Sequence, residues 1–128
     1  MYRPVIADAM AEDAAQVVAL WEACGLTRPW NDPHADFHRA LATPTATVLI
    51  ARTAGQVVGS AMVGHDGHRG WVYYLAVAAD ARRQGIGRAL MDAAADWLLV
   101  RGVPKLQLMV RDDNGIALNF HEACGLER

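Results

Sequence analysis

The stretch "LAVAADARRQGIGRAL", residues 75–90, decides the fold. An apolar run ends at the arginine pair Arg82 and Arg83, Gly85 and Gly87 follow, and an apolar pattern with helical spacing then resumes. This order is typical of a strand that turns sharply into a helix. The first helical turn offers unpaired N–H groups with a partial positive charge, and glycine lets an anion approach the backbone closely. The stretch therefore predicts a phosphate-binding loop between a strand and a helix.

The rest of the chain places this loop near the end of a β-α-α-β-β-β-α-β-α order of elements. Residues 45–52 and 56–64 are strand-like and separated by "TAG", which predicts an antiparallel hairpin. The strand at 71–78, the helix at 85–101 and the strand at 105–110 fit a right-handed parallel crossover. The helix is expected to place Ile86, Ala89, Leu90, Ala93 and Trp97 on one face. In the second helix, Asp32 is expected to cap the N-terminus.

Composition limits the class of protein. The chain has 128 residues, is 53% hydrophobic and 20% charged, and reads as a single globular α/β domain over residues 1–128. Its formal charge of -2 argues against nucleic acid or an anionic membrane as partner. No apolar run is long enough to span a bilayer, and the N-terminus does not resemble a signal peptide. Cys24 and Cys124 have no metal-binding spacing, which indicates free thiols and a cytoplasmic location.

Two well-known phosphate loops do not fit. A P-loop needs Gly-Lys-Ser/Thr at the helix start, whereas Gly87 is followed by Arg88 and Ala89. A dinucleotide-binding fingerprint needs a small residue at position 90, which is leucine here. The remaining pattern, Arg-x-x-Gly-x-Gly from Arg82 to Gly87, is weak by itself, because a plain turn with solvated arginines would look the same.

The order of elements and two motifs together resemble the GNAT family of N-acetyltransferases over nearly the whole chain. The stretch at 75–90 is similar to the family's motif A, and "NGIALNFHEACGL" at 114–126 is similar to its motif B. "LWEACGLTRPWNDP" and "GHDGHRGWVYYLAV" resemble the bacterial YpeA-like branch. The resemblance implies a mixed central sheet with helices on both faces. It also implies transfer of an acetyl group from acetyl-CoA to a primary amine, of a small molecule or a protein, by direct attack.

The resemblance also assigns the cofactor-binding residues. It implies that the backbone of Leu75, Ala76 and Val77 holds the pantetheine arm and that one of these amides polarises the thioester carbonyl. Asn114 is implied to reach the pantetheine from the last helix. The implied pyrophosphate site is the loop and first helical turn, comprising Arg82, Arg83, Gln84, Gly85, Ile86, Gly87 and Arg88.

The candidate catalytic residues match the family's pattern less well than the cofactor-binding residues do. Where the family usually has a tyrosine as the acid, this chain has His121, which can donate a proton near neutral pH or be a bystander on the helix surface. The position of the usual strand carboxylate holds no acid. The candidates for a proton relay are therefore Tyr74, His65, Asp66 and His68. No metal site is expected, since His65 and His68 lack further ligands.

Two alternatives in function and one in assembly stay open. A CoA-binding sensor or pseudoenzyme would keep the phosphate loop without turnover, and a protein N-terminal acetylase would differ only in its acceptor. Trp30 and Asn31 fall where the family places that acceptor. The family normally continues with two more strands after the last helix, so these C-terminal strands are expected to be missing. Strand 105–110 would then have a free edge, which predicts a homodimer. The alternative is a monomer in which the residues after Gly125 or a further tail cover this edge.

Overall fold

The computed structural model describes residues 4–103 and the backbone of residues 106–108. In chain order, the strands and helices are β1 (Val5–Asp8), α1 (Ala14–Ala23), α2 (Pro33–Ala42), β2 (Ala46–Thr53), β3 (Gln56–His65), β4 (Gly70–Val77), α3 (Ile86–Val100) and β5 (Leu106–Leu108). Short 3-10 turns at Ala11–Asp13 and Ala79–Ala81 precede α1 and follow β4. The predicted order is confirmed as far as β5, and the predicted last helix lies outside the described residues.

The strands form one mixed sheet in the order β1-β2-β3-β4-β5. The first three pairs are antiparallel, including the predicted hairpin of β2 and β3. Strand β5 pairs in parallel with the beginning of β4, with Gly70 opposite Leu106 and Val72 opposite Leu108. Strand β4, helix α3 and strand β5 therefore form the predicted crossover, and the loop after β4 emerges at the carboxyl end of a central strand.

Helices cover both faces of the sheet, as predicted. Helices α1 and α2 pack on one face, where Trp21 and Phe37 are completely buried. Helix α3 packs on the other face through residues that include Leu90 and Met91, which are also completely buried. Asp32 caps α2 as expected, since its Oδ1 atom accepts a hydrogen bond of 3.1 Å from the Ala35 backbone N–H.

The predicted inner face of α3 is confirmed at its N-terminal end and only in part at its C-terminal end. Ile86 and Leu90 are buried. Further along the helix Ala94 and Leu98 are buried, while Ala93 and Trp97 pack against the same cluster and are only partly buried. The physical reason lies in β4, where a Cβ atom on Gly70 would come within 2.3 Å of the Leu98 side chain. The missing side chain leaves a space that Leu98 fills, so this part of the helix rests on the sheet through Leu98.

Candidate active site

Strand β4 contains a β-bulge at Tyr74. Ser60 of β3 stands opposite Ala76, and Met62 stands opposite Tyr73, so two residues of β4 oppose one residue of β3 between them. Tyr74 has φ +53, in the left-handed region. That conformation costs an L-residue roughly 1–2 kcal/mol. The strained residue lies next to Leu75–Val77, the backbone expected to bind the thioester.

Contacts to α1, α2 and β3 hold Tyr74 in this conformation. Its ring stacks on Trp21 with centroids 3.9 Å apart and planes 12° from parallel. Its hydroxyl donates to Oδ2 of Asp36 at 2.8 Å. Its backbone carbonyl accepts a hydrogen bond from Oγ of Ser60 at 3.3 Å, and Ser60 Oγ in turn accepts from Nε1 of Trp21 at 2.7 Å. These contacts offset the strain of the bulge.

Asp36 is a site residue that the sequence did not reveal. It lies in the first turn of α2, and its carboxylate also accepts from Nη1 of Arg39 at 3.1 Å. The Asp36 side chain is 27% exposed and that of Arg39 is 72% exposed, so solvent screens this ion pair. An acidic residue near a helix start is usually explained by the helix dipole, which hides any second role.

The backbone after the bulge presents donors on the side of β4 away from β3. The Ala78 N–H donates to the Val58 carbonyl at 2.8 Å. Because antiparallel pairs alternate, the N–H and C=O of Val77 point away from β3. The Val77 carbonyl accepts from Nε of Arg82 at 3.1 Å and from the Cys24 thiol, with 3.5 Å between sulfur and oxygen. Leu75 and Val77 bury their side chains only in part, against the α3 face.

The N-terminus of α3 offers unpaired amides. Gly85 precedes the helix with φ +78, and within the described residues no side chain caps this end. The first helical hydrogen bond runs from the Ala89 N–H to the Gly85 carbonyl at 3.0 Å. The N–H groups of residues 86–88 therefore have no acceptor in the helix and can bind an anion together with its dipole.

The loop side chains differ in what they do. Arg82 is turned back toward the end of β4, so it braces the loop against the strand. Arg83, Gln84 and Arg88 are exposed and form no hydrogen bond or ion pair within the part of the chain that the structure describes. Ile86 is only 2% exposed and packs into the core, so it contributes its backbone alone to the loop.

The polar side chains of the turn between β3 and β4 stabilise the turn through hydrogen bonds to its own backbone. Asp66 accepts the backbone N–H groups of Arg69 at 2.8 Å and of His68 at 2.9 Å. These hydrogen bonds, that of Arg69 first, hold the pKa of the Asp66 carboxyl below its ordinary 3.8. Nδ1 of His65 accepts the Gly67 N–H at 3.0 Å. Among the described residues no group of three His, Cys, Asp or Glu side chains could hold a metal ion.

The remaining predicted site residues lie in the segment between α1 and α2 or outside the described residues. Trp30 is 75% exposed in the segment between α1 and α2, and the adjacent Asn31 N–H donates to the Arg28 carbonyl at 3.0 Å. His121 and Asn114 lie outside the described residues. The proposed dimer edge at 105–110 is described only as the backbone of 106–108, so the homodimer stays a prediction.

Comparison with known proteins identifies the family. The profile described as "Acetyltransferase (GNAT) family" matches residues 14–126. This chain belongs to the GNAT acetyltransferase family. A protein of Sodalis glossinidius (strain morsitans) that is named an acetyltransferase is 48% identical over 116 residues, which cover 91% of this chain and 82% of that protein.

Solved structures share the fold of this GNAT acetyltransferase. The aminoglycoside N-acetyltransferase AAC(6')-Iy in complex with CoA superposes with a TM-score of 0.86 at 18% identity, covering 100% of this chain and 90% of that one. A ribosomal-protein-alanine N-acetyltransferase from Brucella melitensis biovar Abortus 2308 superposes with a TM-score of 0.78 at 27% identity, covering 94% and 89%.

Family membership settles the class of reaction. This GNAT protein is an acyltransferase, and its family uses acetyl-CoA. The alternative of a CoA-binding sensor without turnover is not favoured by relatives that are named acetyltransferases. In the part of the chain that is described, no helix is both long and apolar enough to cross a membrane.

Proposed function

We propose that this enzyme transfers the acetyl group of acetyl-CoA to a primary amine by direct attack on the thioester. The observation that carries the proposal is the uncapped N-terminus of α3. It follows, after the short turn at Ala79–Ala81, on a strand that bulges at Tyr74 and directs backbone groups of Val77 away from its neighbour β3. A helix end that can bind phosphate and strand backbone that faces away from its neighbour suit an extended phosphate-containing thioester.

In this proposal each part of acetyl-CoA has a place. The pyrophosphate binds the first-turn amides of α3 and the Gly85 backbone, and the exposed guanidinium groups of Arg83 and Arg88 add positive charge. The pantetheine arm and the thioester lie along the backbone of Leu75–Val77. Asn114 of the proposed last helix completes the pantetheine contacts.

The proposed chemistry requires two proton movements. The neutral amine attacks the thioester carbonyl carbon, the C–N bond forms, the C–S bond breaks, and the CoA thiolate leaves. A strand amide stabilises the oxyanion that forms on the way. The hydroxyl of Tyr74, bound to Asp36, passes the amine proton to solvent through water, and His121 protonates the thiolate.

The acceptor is proposed as an amine of a small molecule or of a protein. The names of two structural neighbours, an aminoglycoside acetyltransferase and a ribosomal-protein-alanine acetyltransferase, support one class each. Trp30, exposed between α1 and α2, is the proposed acceptor contact. We also propose membership of the YpeA-like branch and a cytoplasmic location, which rest on the sequence resemblance and the pattern of cysteines.

The experiment is a turnover assay with acetyl-CoA and a panel of aminoglycosides, polyamines and peptide N-termini, which measures thiol release. Tyr74→Phe keeps the stacked ring but removes the hydroxyl, and we expect it to lower kcat by about 100-fold, the lower end of acid–base contributions. Tyr73→Phe is the matched control, because Tyr73 is 40% exposed and lies one residue away. Thiol release that does not depend on any amine, or equal rates in the two variants, contradicts the proposal.

A further inference from the structure

Ser60 is a completely buried polar residue at the bulge of β4, and the proposed chemistry has not used it. Its exposure is 0%, so it cannot touch a substrate. Its single hydroxyl serves two partners, since Oγ accepts from Nε1 of Trp21 at 2.7 Å and donates to the Tyr74 carbonyl at 3.3 Å. The donation from Trp21 takes up a lone pair of Oγ, which leaves the hydroxyl proton for Tyr74.

The bond from Ser60 fixes the direction of the peptide unit between Tyr74 and Leu75. In a planar trans peptide the C=O and the N–H point in opposite directions. A Tyr74 carbonyl that faces Ser60 therefore turns the Leu75 N–H away from Ser60 and from β3. Leu75 has no partner residue in β3, because the extra residue of the bulge interrupts the pairing there.

We infer that Ser60 is a positioning residue that aims the Leu75 N–H at the carbonyl oxygen of the bound thioester. The inference rests on the proposed function and assigns the oxyanion-stabilising donor to one peptide unit. Tyr74 has φ +53, which is unfavourable for tyrosine. Without the Ser60 hydroxyl, the Tyr74 carbonyl loses this hydrogen bond, the Tyr74–Leu75 peptide unit shifts toward a relaxed conformation, and the donor turns away from the oxyanion.

The first test separates positioning from stability. Ser60→Ala removes the bond to Tyr74 and leaves the Trp21 N–H buried without an acceptor, so we expect a lower melting temperature and a lower kcat. A variant that loses stability elsewhere in the core shows how much of the fall in kcat comes from instability alone.

The size of the effect is set by the donor. Removing one oxyanion donor from an enzyme costs about 100- to 1000-fold in kcat. Since Ser60→Ala misaligns the Leu75 N–H and does not delete it, we expect a loss of about 10- to 100-fold. Val48→Ala, a cavity in the same buried cluster on β2, which pairs with β3 and not with β4, is the control for stability. A kcat that falls equally in Val48→Ala and Ser60→Ala overturns the inference.

A spectroscopic test works without an acceptor. Acetyl-CoA labelled with carbon-13 at the thioester carbonyl is bound to the protein, and its C=O stretching frequency is measured. We expect a frequency lowered by the hydrogen bond in the parent protein and restored toward the free value in Ser60→Ala, with unchanged affinity for CoA. An unshifted carbonyl in the parent overturns the inference. A shifted carbonyl with no transfer to any amine supports the inference and contradicts the proposed function.

Discussion

Replacing Gly85 by alanine separates the cost of backbone strain from the loss of phosphate binding. Gly85 has φ +78, and a Cβ atom there would have no neighbour within 4 Å. Gly55, in the turn between β2 and β3, has φ +80 and is equally open. Alanine at either position therefore adds the same left-handed strain, about 1–2 kcal/mol, without a clash in the fold. The two variants are matched in stability and differ in what lies next to them.

The expected difference is in affinity for CoA. At Gly85 the new methyl group occupies space beside the first-turn amides of α3, which keeps the pyrophosphate from at least one donor. A hydrogen bond to a charged group contributes about 1.5–3 kcal/mol. Its loss raises the dissociation constant of CoA by roughly 10- to 150-fold, since each 1.4 kcal/mol is a factor of ten. Gly55→Ala should bind CoA as the parent does.

Calorimetric titration with CoA and urea denaturation of the three proteins provide the measurements. We expect equal midpoints for the two variants, both below that of the parent, and weak CoA binding by Gly85→Ala alone. If Gly85→Ala binds CoA within twofold of Gly55→Ala, the pyrophosphate does not sit at this helix end and the assignment of the loop is refuted.

Three further predictions concern the frame around the site. Gly59→Ala brings a Cβ atom to 2.9 Å from two side chains in the first turns of α3, so it should cost about 1–3 kcal/mol by overpacking and weaken CoA binding, measured by urea denaturation and calorimetry. Asp13→Ala removes the buried partner of Arg52, so the free energy of unfolding should fall by about 2–3 kcal/mol in urea denaturation. Asp66→Asn should be less stable than the parent at neutral pH, because the lowered pKa stabilises the folded state above the ordinary 3.8. That difference should vanish as the pH falls through the lowered pKa, in denaturation curves recorded from neutral to acid.

Each of these has an outcome that speaks against it. Unchanged CoA affinity in Gly59→Ala means that contact with β3 does not set the position of the helix end. A loss of less than about 0.5 kcal/mol in Asp13→Ala means that water replaces the carboxylate beside Arg52, as at exposed pairs. A stability difference for Asp66→Asn that persists in acid assigns the effect to the shape of the turn and not to its charge.

Local signals sufficed for much of the fold. The Asp32 cap, the hairpin between β2 and β3, and the turn from β4 into α3 each depend on residues that are neighbours in sequence. The start of α3 behind Gly85, with no side-chain cap within the described residues, belongs to the same class, because glycine and the helix start determine it together. These features follow from short-range rules, so the sequence predicted them.

The bulge at Tyr74 in β4 could not be predicted from such short-range rules. Simple alternation puts Tyr74 on the opposite face of the sheet from Tyr73. In the structure Tyr73 lies beside Trp71, with ring centroids 5.1 Å apart, while Tyr74 packs in the same cluster as Trp71. What decides this is the contact of Tyr74 with residues remote in sequence, which no periodicity contains. Asp36, 38 residues away along the chain from Tyr74, was missed for the same reason.

The two adjacent tyrosines of β4 carry opposite evolutionary constraints. Tyr73 is 40% exposed, so replacements there cost little and the position is open to drift. Tyr74 needs an aromatic plane for Trp21 and a hydroxyl for Asp36. An insertion or deletion of one residue in β4 would shift the register of the bulge and place a different residue beside Trp21 and Asp36. Among distant relatives, the residue at the position of Tyr73 should therefore vary, whereas the length of β4 should stay constant.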